Sequence, residues 1–150
     1  MLIYIGSDHQ GFKLKEVIKR QLEEDNHKVI DVGNVSYDEN DDYPVFAAKV
    51  AGGVSKNPDA RGIVICGSGA GVDIVANKFA RIRSVLAINA QQAASTRIDD
   101  DTNVLALAAD YIEEDKAQEI VRAWTLTPFS GEEKYKRRIK EIENIENQPF

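Results

Sequence analysis

Gly62-Ile63-Val64-Ile65-Cys66-Gly67-Ser68-Gly69-Ala70-Gly71-Val72-Asp73 is the stretch that decides how this chain folds. Its first five residues, Gly62 to Cys66, form an apolar run too short for a helix. That is the pattern of a strand covered on both faces, at the centre of a parallel sheet. The glycine-rich turn after it opens into residues of helical period, so the segment reads as strand, tight loop and helix, part of a βαβ series.

The same alternation extends outward in both directions. Toward the N-terminus, Leu2 to Gly6 reads as a strand, followed by a helix with Leu14, Val17, Ile18 and Leu22 on one stripe. Its polar face is Lys13, Lys15, Lys19, Arg20, Glu23 and Glu24. Lys28 to Val32 is a second strand, Gly33 to Asp42 a polar loop, and Phe46, Val50 and Val54 mark a helix ended by Asn57-Pro58-Asp59. Toward the C-terminus, a helix runs through Ile74, Val75 and Phe79, and Ser84 to Ile88 and Asn103 to Ala108 are the fourth and fifth strands. Ala117, Ile120, Val121 and Trp124 define another helix. The last helix is highly charged, with Ile139, Ile142 and Ile145 on a narrow stripe that suits packing on its own domain or on another subunit. The fold expected is α/β: a doubly wound, Rossmann-like, five-stranded parallel sheet with helices on both faces and a charged C-terminal helix, one domain over residues 1–150.

Composition narrows the class of function. A chain of 150 residues with 43% apolar content buries a core without disulfide or metal staples. No apolar run approaches the roughly 20 residues of a membrane helix, and Met1 to Asp8 lacks the basic segment and cleavage site of a secretory signal. A cytoplasmic protein is expected. The lone Cys66 excludes an internal disulfide and a cysteine-rich metal site, and a net charge of −6 argues against attraction to nucleic acid or anionic membrane. The expected partner is a small molecule.

In open parallel sheets, ligands bind beyond the carboxyl ends of the strands. Cys66 to Asp73 stands at such an end, where three alternating glycines let backbone N–H groups converge on one anionic oxygen. A thiol beside them is placed for proton transfer. A cysteine taken alone reads more readily as a small buried hydrophobe; the three glycines turn that reading. A dinucleotide fingerprint would be Gly-x-Gly-x-x-Gly after the first strand, and a P-loop would end in Lys and a hydroxyl residue. This loop is neither. Asp8 and His9, at the end of the first strand, fit helix capping as well as a site. Asp42-Tyr43-Pro44 fits a helix start.

Taken together, Asp8-His9-Gln10-Gly11-Phe12, Asp42-Tyr43-Pro44, Gly62 to Gly71, Ala76-Asn77-Lys78 and Asp101-Thr102-Asn103-Val104-Leu105-Ala106 resemble ribose-5-phosphate isomerase type B, a family related to the galactose-6-phosphate isomerase subunits. The resemblance runs from residue 1 to about residue 142. It implies an isomerase needing neither metal nor cofactor, which opens a furanose phosphate and moves a proton between C1 and C2 through an enediolate. Cys66 would be the base. The amides of Gly67, Ser68, Gly69, Ala70 and Gly71 would hold the oxyanion, where one preorganised donor contributes about 2.7 to 4 kcal/mol. Asp8 would assist ring opening, His9 would meet the phosphate, and Tyr43 would line the pocket. The resemblance also implies a site between two subunits, in a homodimer or dimer of dimers.

The chain departs from that pattern at several positions. Asp99 stands where the family commonly has a ring-opening histidine, and Asp100 where it has asparagine. Asp110 replaces an expected phosphate-gripping arginine, Lys134 and Tyr135 an Arg-His pair, and only Arg138 keeps its guanidinium. Three readings stay open: an isomerase of altered substrate; a ribose-5-phosphate isomerase using Asp99 for ring opening and Lys134, Arg138 and His9 for phosphate; or a non-catalytic sugar-phosphate-binding or paired regulatory subunit. The run Asp99-Asp100-Asp101 reads as a solvated helix-capping loop rather than a cation site.

Overall fold

Among the described residues, five parallel strands, β1 (Leu2–Ser7), β2 (Lys28–Asp31), β3 (Arg61–Cys66), β4 (Ser84–Leu86) and β5 (Val104–Ala108), lie in the order β2-β1-β3-β5-β4. The computed structural model describes residues 1–148. Within these residues six helices connect and follow the strands: α1 (Phe12–Glu24), α2 (Tyr43–Lys56), α3 (Ala70–Ala76), α4 (Ala90–Asp100), α5 (Glu114–Leu126) and α6 (Glu133–Glu146). The expected doubly wound sheet is present, with β3 at its centre.

Strand alternation divides the core. Ile63 and Ile65 of β3 point with Ile3, Ile5, Leu105 and Leu107 toward Ile18 and Leu22 of α1 and Ile120 and Trp124 of α5. Val64 and Cys66 point the other way, with Val104 and Ala106, toward Val50 and Val54 of α2 and Val72 and Ala76 of α3. The chain places β2 on one side of β1 and β3 on the other, pairing Gly6 with Val64 and Ser7 with Ile65. Such a reversal opens a crevice at the carboxyl ends of the two strands, and there the chain continues as Asp8-His9 and as Gly67-Ser68.

Four local readings are corrected. Lys15 is not on the polar face of α1. It is fully buried, its Nζ bonded to Asp31 Oδ2 at 2.5 Å, Glu16 Oε1 at 2.9 Å and the Asn34 carbonyl at 3.0 Å. The helix after the glycine loop ends at Ala76 and buries Val72 and Ala76, leaving Ile74 exposed and Phe79 beyond it in a turn. Helix α4 was not anticipated, because it buries only Ala93 and Arg97 and so carries no apolar stripe; Asn89 caps it, accepting from Gln92 N at 2.8 Å. Asp99 and Asp100 are the last residues of that helix. Asp101 is its left-handed C-cap at φ 47°, bonded to Arg97 at 2.7 Å and Arg83 at 3.0 Å, so the run closes a helix end.

The amino edge of the sheet is locked by arginines. Arg61 donates to the Trp124 and Thr125 carbonyls and covers the Trp124 ring, and burial lowers its pKa to about 10. Helix α6 buries none of its residues, and Ile142 and Ile145 of its apolar stripe stand 41% and 54% exposed. Among the described residues, no helix is long and apolar enough to cross a membrane.

Candidate active site

Cys66 ends β3 with its side chain on the α2 and α3 side of the sheet, 4% exposed. The chain then turns back over the sulfur, so that Gly69 N–H donates to Cys66 Sγ at 3.2 Å. Only glycine suits that turn. Gly69 has φ +73°, and a Cβ there would lie 2.5 Å from Leu86 Cδ1 and 3.1 Å from Ala108 N. The loop is pinned from β5, where Ala109 N donates to the Cys66 carbonyl at 2.9 Å and Asp110 N to the Gly67 carbonyl at 3.0 Å.

Ser68 and Ala70 are exposed at the loop's crest, while Gly67 and Gly69 are buried beneath it. Asp73 N donates to the Gly69 carbonyl at 3.2 Å. The Ala70 and Gly71 amides precede that first helical bond and are left without helical partners. Tyr43, the first residue of α2, lays its ring on Gly71, with Cζ 2.6 Å from where a Cβ would stand.

Asp8 is 5% exposed and its Oδ1 accepts from Gly11 N at 3.0 Å, so it shapes the entry to α1 as well as facing the crevice. Burial raises its pKa above the usual carboxylate value, outweighing the Gly11 N–H and the charge of His9. A carboxyl so placed can hold and release a proton near a sugar oxygen.

His9 is fixed by a residue that sequence reasoning did not single out. Asp41 Oδ1 lies 2.8 Å from His9 Nδ1 and accepts from His9 N at 2.9 Å. The hydrogen bond from Asp41 raises the pKa of His9, against a smaller opposing effect of burial. Asn34, equally unforeseen, donates its side-chain amide to Asp41. No spacing pattern marks either residue, since the segment reads only as polar loop. Gln10 was also missed as a site residue; its side chain, with that of Asp110, packs against Gly67.

Thus Cys66, Gly67, Ser68, Gly69, Ala70, Gly71, Asp8, His9, Tyr43 and Asp110 gather at the carboxyl edge. Asp99, Asp100, Lys134 and Arg138 do not. Helix α4 ends before β5, whose Val104 pairs with Gly62, four residues and about 13 Å of strand from the level of Cys66. The Asp100 pKa is raised by burial and by Asp99, with Arg138 and Arg83 opposing. Lys134 pairs with Glu132 at 3.1 Å, and Lys134 and Arg138 both lie over the Tyr135 ring. Within one chain these residues form a separate charged group.

Among the described residues, surface cavities of about 220 to 510 Å³ are lined by residues other than Cys66. One of about 230 Å³, between α1 and α5, touches the site only through Gln10. Among the described residues, no three His, Cys, Asp or Glu side chains converge as a metal ligand set.

The Ribose/Galactose Isomerase family model matches residues 3–142. The chain is 40% identical to ribose-5-phosphate isomerase B of Escherichia coli, with 96% of this chain and 95% of that protein covered. It is 39% identical to the enzyme of the same name from Mycolicibacterium paratuberculosis, over 93% and 87% of the two chains. Among solved structures, ribose-5-phosphate isomerase B from Mycoplasma genitalium, with bound ribulose 5-phosphate, superposes with a TM-score of 0.95 at 38% identity, covering 99% of this chain and 97% of the other. The Clostridium thermocellum enzyme gives 0.92 at 41% identity, with 97% of each chain covered. With its fold and nearly its whole length matched in this way, the chain belongs to the ribose/galactose isomerase family.

Proposed function

We propose that this protein interconverts an aldose phosphate and its ketose isomer, of the ribose 5-phosphate and ribulose 5-phosphate type. The observation that carries the reading is the Cys66 sulfur held 3.2 Å from the Gly69 amide, inside a loop whose next amides are unclaimed by helix. A thiol and free backbone donors within one loop support a base and an oxyanion pocket side by side, as enediolate formation requires. The matched relatives bear the name of that activity.

In the proposed sequence of steps, Asp8 gives a proton to the ring oxygen as the C1–O bond breaks, the anomeric hydroxyl releases its own proton to become the carbonyl, and the sugar opens. Cys66 takes the C2 proton and returns it to C1, the O2 hydroxyl proton passes to O1, and the Gly67 to Gly71 amides and Ser68 hold the negative oxygen in between. His9 meets the phosphate and Tyr43 walls the pocket. No metal or cofactor takes part. Asp99, Asp100, Lys134 and Arg138 belong to this site only when supplied by a second copy, in a homodimer or dimer of dimers. Two observations support that arrangement: Asp99 and Asp100 end α4 at the amino edge of their own sheet with Arg138 near Asp100, and the α6 stripe is uncovered. The proposed setting is the cytoplasm, as a single domain acting on a small molecule without nucleic acid or membrane.

One observation favours a shifted substrate range. The Asp110 carboxylate packs beside Gly67, bringing negative charge to the rim of the site, where it opposes a bound phosphate. Screening pentose, tetrose and hexose phosphates beside their unphosphorylated sugars tests both readings. Isomerisation of ribose 5-phosphate above the others supports the first, and preference for another sugar the second. Absence of solvent deuterium at C2 of every sugar would leave only a binding subunit.

A further inference from the structure

The loop between β2 and α2 is tied to the site through a continuous set of side chains. Buried Lys15 bonds Asp31 at the end of β2 and the Asn34 carbonyl in the loop. Asn34 in turn donates its amide to Asp41, and Asp41, whose side chain is 6% exposed, accepts from both the backbone and the ring of His9. A buried ammonium is therefore relayed through one loop to a carboxylate aimed at one nitrogen of an imidazole. That imidazole is 26% exposed, and no described residue bonds its Nε2.

We infer that Asp41 is a positioning residue for the anionic end of the substrate: it holds His9 with Nδ1–H turned inward and Nε2–H offered outward as a charged donor. The inference rests on the proposed contact between His9 and phosphate. Its chemistry is that of a carboxylate behind a histidine, which selects the tautomer, fixes the ring plane and favours the imidazolium. A charge-assisted donor to phosphate is roughly twice as strong as a neutral one. The charged and titratable groups facing His9 are Asp8 on its own strand end and Asp41 and Tyr37 from the loop. Asp8 and Asp41 act in one direction, keeping the ring protonated, and Tyr37 meets it edge-on at 6.3 Å.

The sign is fixed by this arrangement. Anion binding through His9 is complete below its folded pKa and is lost as pH climbs through it. Removing the charge of Asp41 moves that loss to lower pH. With only His9 and His27 in the chain, the imidazole of each is resolvable by proton or carbon NMR.

The experiment compares wild type, Asp41→Asn, His9→Ala and the double variant, with His9 titrated by NMR and KM and kcat measured for the isomerised sugar phosphate from pH 5.5 to 9. Wild-type His9 should titrate above the ordinary value of about 6.5. Asp41→Asn should bring it down and raise KM about fivefold to tenfold at pH 8, with little change at pH 5.5 and kcat far less affected. In the His9→Ala background, Asp41→Asn should add nothing to KM. Should His9→Ala leave KM unmoved, the phosphate contact itself is wrong. Should His9→Ala raise KM while Asp41→Asn moves neither the titration nor KM, the phosphate contact stands and the role of Asp41 is overturned. Should Asp41→Asn fail to fold, a wild-type His9 titrating at or below about 6.5 overturns the proposal by itself.

Discussion

The Gly69 amide points at the sulfur of Cys66, 3.2 Å away. In the proposed mechanism the loop that would offer donors to a substrate oxygen also offers one to the proposed base, and the left-handed backbone of Gly69 is what lets the chain turn back over the sulfur. That contact fixes where the sulfur sits in the loop.

Gly69→Ala tests that dependence. The left-handed conformation costs a non-glycine residue about 1 to 2 kcal/mol, and the new Cβ would meet Leu86 Cδ1 at 2.5 Å. The variant should lower the thermal midpoint and lose far more in kcat than in substrate affinity. Circular dichroism melts with steady-state kinetics check both, and an unchanged kcat in a folded variant removes the loop from the chemistry.

Asp8→Asn should separate stability from activity. Because burial raises the Asp8 pKa above 3.8, the folded state holds a proton that the unfolded state releases between these two values. Wild-type stability from this group therefore falls as pH rises through that window. Asparagine keeps an oxygen for the Gly11 amide and never ionises. The melting-temperature advantage of Asp8→Asn over wild type should grow from pH 3 to pH 7, while ring opening slows. A constant difference across that range contradicts the assignment.

Two inactive variants should restore one another if the site spans two copies. Cys66→Ala lacks the base, and Lys134→Ala/Arg138→Ala lacks the cations at the far edge. In a mixed dimer, one of the two sites receives Cys66 from one subunit and the cations from the other. Equal mixing with exchange should recover about a quarter of wild-type activity. Activity no greater than the sum of the parents places every needed residue in one chain.

Lys15→Met should destabilise the protein by about 3 kcal/mol, the usual cost of breaking a buried ion pair from one side, since Asp31 keeps the Gly33 amide at 3.0 Å but, among the described residues, no cation nearer than Lys19 at 3.4 Å. Urea unfolding measures this, and adding Asp31→Asn should recover part of the loss. A midpoint unchanged by Lys15→Met contradicts the buried pairing.

The sheet was legible because β1, β3 and β5 are buried by their own composition: Ile3, Ile5, Val64, Leu105 and their neighbours leave no other use for such runs. Helices α1 and α5 showed their apolar stripes in the same way. Helix α4 did not, because Arg97, its other buried residue, is held by Asp101 and the Thr102 carbonyl rather than by an apolar face. Lys15 was misplaced for a related reason. Helical period alone assigns a lysine to solvent, and only the return of Asp31 and Asn34 beside it makes burial tolerable. At the site, Cys66 and the glycines were visible because the chemistry lies in one contiguous segment. Asp41 was not, since its partner His9 is 32 residues earlier and nothing in the intervening sequence records their meeting.

Cys66→Ser replaces one sulfur by one oxygen in the same buried turn and leaves the Gly69 donor in place, so it isolates the base. Exchange of the C2 hydrogen of ribose 5-phosphate with deuterated solvent, followed by NMR in wild type and in this variant, reads the proton transfer itself. The account predicts rapid exchange in wild type and a loss of at least about a hundredfold in Cys66→Ser, with folding and sugar-phosphate binding retained. Exchange at the wild-type rate in the serine variant would contradict it.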